Sequence, residues 1–112
     1  MLEVSPDDLV VDKTRFSAFV PGTCGLEEIL RARAIDTLIV TGTLTNVCCE
    51  SMARDAMQRN YQVVFITDGN AALSDAQHNA TLANMALLFA DLRTAAETVA
   101  MIEASKSRAA AE

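Results

Sequence analysis

The chain carries three cysteines, Cys24, Cys48 and Cys49, and one histidine, His78. These residue types do nucleophilic and proton-transfer chemistry near neutral pH. Cys48 has the most informative setting. It follows the apolar run Thr37-Leu38-Ile39-Val40-Thr41, closed by Gly42, and comes just after Thr45 and Asn46. Both Thr and Asn are good N-caps. A helix is therefore predicted to open near Thr45 or Asn46, with Cys48 in its first turn. A helix N-terminus carries partial positive charge and unpaired N–H groups. Both favour a thiolate over a thiol, and the same N–H groups can hold an oxyanion when a carbonyl is attacked. The competing reading of Cys48 is a small buried hydrophobe. Cys49, about 100° further round a helix, is read as core packing. Cys24, near Pro21-Gly22, is read as structural. His78 has two readings, a helix-surface or capping residue and a residue near a pocket.

The flanking elements must bring such groups together. Leu9-Val10-Val11 is a short apolar run ending at Asp12-Lys13. If it is a parallel strand beside Thr37 to Thr41, Lys13 reaches the carboxyl edge of the sheet, where open α/β sheets bind ligands. Leu26 to Arg33 has Leu26, Ile29 and Leu30 at helical spacing. Asn46 to Asn60 reads as a helix with Cys48, Met52 and Ala56 on one stripe. Gln62 to Thr67 is a strand rich in β-branched residues, and Asp68-Gly69-Asn70 is a turn signal. Asp75 to Phe89 is a long helical segment, and Ala90 to Arg93 a short last strand. Thr94-Ala95-Ala96-Glu97 has the capping-box form and opens a final helix. Its end, Ala104 to Glu112, is expected to fray. Strands alternating with helices imply βαβ units and a parallel sheet. Apolar runs such as Leu38-Ile39-Val40 and Val63-Val64-Phe65-Ile66 imply burial on both faces. Four strands at most make a thin sheet, so the expectation is one part of a larger domain.

Composition narrows the function. With 112 residues, 51% hydrophobic and 21% charged, the chain suits one small domain and is not disordered. A net charge of −6 and five aromatic residues, four Phe and one Tyr, argue against nucleic-acid binding. No apolar run approaches the ~20 residues of a membrane span. An odd number of cysteines without CxxC spacing, beside one histidine, fits neither a disulfide scaffold nor a structural zinc site. The expectation is a cytoplasmic, reduced setting, with no metal and no cofactor.

Ordered motifs then resemble a known family. Lys13-Thr14-Arg15-Phe16-Ser17-Ala18-Phe19, Val40-Thr41-Gly42-Thr43-Leu44-Thr45-Asn46-Val47-Cys48-Cys49-Glu50-Ser51 and Arg54-Asp55-Ala56 are similar to the isochorismatase-like cysteine hydrolases. Thr67-Asp68-Gly69-Asn70-Ala71-Ala72 and Asp75-Ala76-Gln77-His78-Asn79 are similar to that family's next strand, loop and helix. The likeness runs from about Ser5 to about Ile102. It implies a three-layer α/β/α, Rossmann-like fold with a parallel sheet. It also implies an Asp-Lys-Cys triad whose cysteine attacks an amide or ureido carbonyl. Cys48 takes the place of the nucleophile and Lys13 that of the lysine. A non-proline cis peptide between Thr43 and Leu44 is implied, with the N–H groups of Leu44 and Cys48 forming an oxyanion hole. Thr43 and Phe19 take substrate-lining places, and Phe16 could line the pocket in the same manner, although core packing competes as the reading of both phenylalanines.

The departures define the remaining expectations. The family's triad Asp lies on a strand well upstream of the lysine. None of Glu3, Asp7, Asp8 or Asp12 stands in that context. Residues 1–112 are therefore expected to be the C-terminal part of one hydrolase domain whose N-terminal strands are missing, nearly inactive alone. A homo-oligomer, or association with a chain supplying the other half, is expected because an unpaired apolar strand edge invites pairing. The alternative is a non-catalytic remnant or partner subunit. Ala34 also departs, since Gly commonly follows the helix there.

Overall fold

The computed structural model describes residues 2–111. Helix α1 (Leu26–Ala32) leads into strand β1 (Thr37–Thr43). A π-helical turn (Thr45–Cys49) runs into helix α2 (Glu50–Gln58), and strand β2 (Gln62–Ala71) returns. Helix α3 (Asp75–Asn84), a second π-helical turn (Met85–Phe89), strand β3 (Asp91–Arg93) and helix α4 (Ala95–Ala111) complete the order. The strands form one parallel sheet in the order β1-β2-β3. The fold is α/β, as the alternating pattern predicts. Among the described residues, no helix is long and apolar enough to cross a membrane.

Side-chain alternation along the strands decides where the core lies. Val40, Val63 and Phe65 point to one face and pack with Leu30 of α1, Ala53 and Ala56 of α2, and Met85. Alanines at 53 and 56 let α2 approach the sheet closely. Burying a side chain such as Phe65 stabilises the fold by roughly 1.5–3 kcal/mol. Ile66 points to the opposite face, where α4 packs on β2. Coverage of that face is uneven: Ile66 is 2% exposed, but Ile39 on β1 is 46% exposed. Among the described residues β1 is an edge strand, paired only with β2.

Turn chemistry fixes the helix ends. The Ala34 N–H donates to Arg31 O (3.0 Å) and the Ile35 N–H to Leu30 O (3.0 Å), which closes α1. At the end of α2, the Asn60 N–H donates to Met57 O (3.1 Å) and the Tyr61 N–H to Ala56 O (3.0 Å). Both are Schellman caps, which place the residue after the C-cap in the left-handed region. Ala34 has φ 53° and Asn60 φ 72°. Ser74 caps α3 by accepting the Gln77 N–H (3.2 Å). The capping box at α4 forms as its spacing predicts. The Thr94 N–H donates to Glu97 Oε1 (2.9 Å) and the Glu97 N–H to Thr94 Oγ1 (3.1 Å). The Thr94 backbone N–H, with its hydroxyl second, holds the Glu97 carboxyl below the usual carboxylate range. Asp68 adds a further acceptor, taking the Ala95 N–H at 2.8 Å.

Two expectations change. Leu9-Val10-Val11 is not a strand. No strand among the described residues lies beside it to pair its backbone, and Leu9 and Val10 face solvent. Asp68-Gly69-Asn70 is not the end of β2, because the strand resumes pairing at Asn70 and Ala71.

Ala34 supports a stability test. A non-glycine residue in the left-handed region costs roughly 1–2 kcal/mol, partly offset by the unfolded-state freedom glycine adds. Ala34→Gly is expected to stabilise the chain by about 0.5–1 kcal/mol, a rise in Tm of about 3–6 °C by thermal melting. Asn60→Gly should gain less, since Asn tolerates that conformation.

Candidate active site

The site is built where β1 ends. The ladder pairs Val40 with Phe65 and then Gly42 with Asn70. Over this step β1 advances past Thr41 alone, whereas four residues of β2, Ile66, Thr67, Asp68 and Gly69, have no partner on β1, Ile66 keeping its pairing with Arg93 of β3. The Asn70 side chain spans the gap. Its Nδ2 donates to Val40 O (3.0 Å) and to Ile66 O (2.7 Å). Gly42 sits at φ 128°, a backbone conformation that L side chains rarely adopt, and an added Cβ would lie 3.9 Å from Cys49 Sγ. The next peptide bond but one, Thr43–Leu44, is cis.

The helix after β1 opens at Thr45, as predicted, but neither Thr45 nor Asn46 is its cap. Its N-cap is Leu44, in extended conformation. The Leu44 carbonyl accepts the N–H groups of Val47 and Cys49, both at 3.2 Å. No side chain caps the turn. Thr45, expected as a cap, lies inside the helix and is 0% exposed. The reason is a competing partner: Thr45 Oγ1 bonds His78 Nδ1 at 2.8 Å. Asn46 is also inside the turn. Cys48 remains in the first turn, half-buried, as expected.

Lys13, Thr43 and Cys48 line one cleft of about 400 Å³, with Phe16, Val40 and Met52 in its apolar wall. Lys13 arrives from irregular chain rather than from a strand. Its ammonium is held by the carbonyls of Arg15 (2.9 Å) and Phe16 (3.1 Å). An ammonium has three donors, so these bonds leave one for the cleft. Among the described residues no carboxylate lines this cleft. Leu44 stands at the head of the turn and not in the cleft wall. Phe19 does not reach the cleft. It is 3% exposed and packs in the core, its ring 5.4 Å from that of Tyr61. Phe16, on the same short segment, takes the lining place instead.

The two adjacent cysteines differ in character. Burial pushes the Cys49 thiol up, and Cys48 beside it adds to the rise, against a downward pull from Lys13. Cys49 belongs to the hydrophobic core. Cys24 donates to Ala18 O at 3.2 Å, the structural role expected of it. Three side chains acquire roles that sequence reasoning missed. Asn70 is a buried strand clamp, His78 ties Thr45 to Thr67 O (3.0 Å from Nε2), and Glu50 accepts the Thr81 hydroxyl at 2.6 Å. Spacing alone signals none of the long-range partners, Val40 of Asn70, Thr45 and Thr67 of His78, and Thr81 of Glu50, each more than ten residues away.

Comparison with known proteins bears on the fold and the family. Residues 1–97 match the profile of the isochorismatase domain. The chain is 39% identical over 90 residues to nicotinamidase 3 of Arabidopsis thaliana, covering 80% of this chain and 44% of that protein. It is 39% identical over 89 residues to the ureidoacrylate amidohydrolase RutB of Methylobacterium radiotolerans, covering 79% and 34% respectively. A cysteine hydrolase from Pseudomonas syringae superposes with a TM-score of 0.86 at 38% identity, over 91% of this chain and 52% of that one. An isochorismatase-like hydrolase from Alkaliphilus metalliredigens gives 0.83 at 31% identity, over 89% and 54%. The chain thus spans about half the length of these structures and less than half of the two relatives.

The contrast between the cysteines is measurable. At neutral pH, iodoacetamide followed by peptide mass mapping should modify Cys48 at least about tenfold faster than Cys49, whose raised pKa keeps it as the less reactive thiol. Equal rates would contradict the burial of Cys49.

Proposed function

Since this chain belongs to the isochorismatase family, we propose that it carries the nucleophile-bearing part of a cysteine hydrolase for C–N bonds next to a carbonyl, in amide or ureido substrates. The observation that carries this reading is the shared cleft of Lys13 and Cys48 at the carboxyl end of β1. Covalent catalysis needs a thiolate, a group that stabilises it and donors for the oxyanion. Cys48 Sγ attacks the carbonyl carbon, and the Lys13 ammonium stabilises the thiolate beforehand. The N–H groups of Leu44 and Cys48 receive the oxyanion, and Thr43 contacts the substrate. The C–N bond then breaks, and the amine leaves with a proton. Water hydrolyses the thioester and restores the thiol.

The proton carrier is the open position in this scheme. The cleft wall holds no carboxylate among the described residues, while the family resemblance implies an aspartate. General acid–base catalysis is typically worth 10²–10⁴-fold. This chain alone should therefore turn over small amides and ureido acids slowly, and Cys48→Ala should abolish what remains. Steady-state ammonia release is the measurement. Robust turnover that survives Cys48→Ala would overturn the assignment.

The second reading is a non-catalytic remnant or partner subunit, and the exposed Ile39 on the edge strand β1 suits a chain that pairs with another. Under either reading, association along that edge, with a second copy or with a chain supplying further strands and the aspartate, is proposed. Size-exclusion chromatography should show a species larger than the 112-residue monomer. A stable monomer would count against association.

A further inference from the structure

We infer that His78 is a positioning residue for the Cys48 thiol, acting through the buried hydroxyl of Thr45. The inference rests on the reading of Cys48 as the nucleophile and extends it to α3. His78 lies in the first turn of α3, its N–H accepted by the N-cap Ser74 O at 3.1 Å. Its ring reaches two elements of the site. Nε2 is 3.0 Å from Thr67 O, at the start of the β2 loop-out, and Nδ1 is 2.8 Å from Thr45 Oγ1. A carbonyl can only accept, so Nε2 carries the proton. In the neutral ring Nδ1 is then an acceptor, and Thr45 donates to it.

Thr45 is the first residue of the turn that holds Cys48, and it is fully buried. Its carbonyl also accepts the Glu50 N–H, the first of α2. One turn further along α3, the Thr81 hydroxyl donates to Glu50 Oε1, and Arg54 Nε donates to Glu50 Oε2 at 2.9 Å. Helix α3 thus grips the nucleophile segment at Thr45 and at Glu50, on either side of the Cys48-Cys49 pair. The turn has no side-chain cap of its own. Its orientation therefore depends on bonds from outside, and the imidazole bridge is the one that reaches its first residue. Without the bridge, the Thr45 hydroxyl would be buried without a partner, a cost the turn relieves by rotating. Cys48, three residues on, moves with it.

The test reads Cys48 reactivity against an internal control. In the full chain, second-order alkylation rates are measured at Cys48 and at Cys24, which lies outside this network. In the unsubstituted chain Cys48 should react faster than Cys24. Equal rates would overturn the nucleophile reading and this inference with it. His78→Phe, which keeps a ring but no bridge, should slow Cys48 roughly three- to tenfold, the scale of one lost hydrogen bond, with Cys24 unchanged. His78→Gln, able to accept and donate at once, should recover most of the rate. The Thr45→Val/His78→Phe double variant should be no slower than either single one. An undiminished Cys48 preference in His78→Phe overturns the inference alone. So do parallel losses at Cys24, failure of the Gln rescue, or additive losses in the double variant. Imidazole ¹⁵N–¹H correlation spectra of the unsubstituted chain give a readout independent of any variant's folding. The Nε2–H tautomer is expected, and an Nδ1–H tautomer overturns the bridge.

Discussion

Two parallel strands of unequal length must end together, and the site exists because of how that mismatch is closed. After Val40 the two strands fall out of step, and β2 loops out four residues before Gly42 finds Asn70. A bulge leaves backbone groups without their ladder partners. The Asn70 amide replaces two of them, with bonds to Val40 O and Ile66 O. Only then do Gly42 and Thr43 regain a partner in β2, and only then can the chain turn into the Cys48 helix from a fixed start. Gly69 completes the arrangement, since a Cβ there would come within 2.8 Å of Ile66. The loop-out, the glycines and the amide form one device that aims the end of β1.

That device explains which parts of the chain were legible. Patterns that satisfy themselves locally could be read directly. The strand core Val63-Val64-Phe65-Ile66, the Ser74 cap and the Thr94/Glu97 box each depend on residues within a few positions. The cleft partnership of Lys13 and Cys48 came from ordered motifs rather than from spacing. Features set by distant partners were not readable. Asn70 resembled a turn residue because its acceptor Val40 is thirty positions away. Thr45 resembled an N-cap because a local rule cannot know that His78 claims its hydroxyl. Phe19 and Phe16 are equally apolar, and only the position of Tyr61 decides which ring is buried. Leu9-Val10-Val11 has strand composition, but a strand exists only when another lies beside it.

The same long-range dependence governs the sheet as a whole. The face beneath α1 and α2 is closed by a continuous cluster that includes Phe19, Tyr61 and Met85. The opposite face is covered at Ile66 and open at Ile39. Runs such as Leu38-Ile39-Val40 carry apolar residues on both sides, which suits a strand buried on both faces. In the described residues one side of β1 meets that demand and the other does not. Sequence and structure disagree here at the strand that leads to Cys48.

Charge in the cleft sets the final constraint. Cys48 and Lys13 share one cleft with a largely apolar wall, and the proposed reading needs the Lys13 ammonium there to offset the charge of an attacking sulfur. Two bonds to backbone carbonyls hold that ammonium in place. Stabilising the thiolate is nevertheless only half of the proton balance. The thiol proton must go somewhere, and the departing amine must acquire one. In the proposed scheme Lys13 cannot serve both ends while also being the cation beside the sulfur. Cys49 cannot serve either, because burial keeps it a thiol. His78 has both ring nitrogens committed, to Thr45 and to Thr67. None of the groups that touch this turn is free to carry the proton, which is why the proposed reading takes from the family resemblance an aspartate that the described cleft wall lacks.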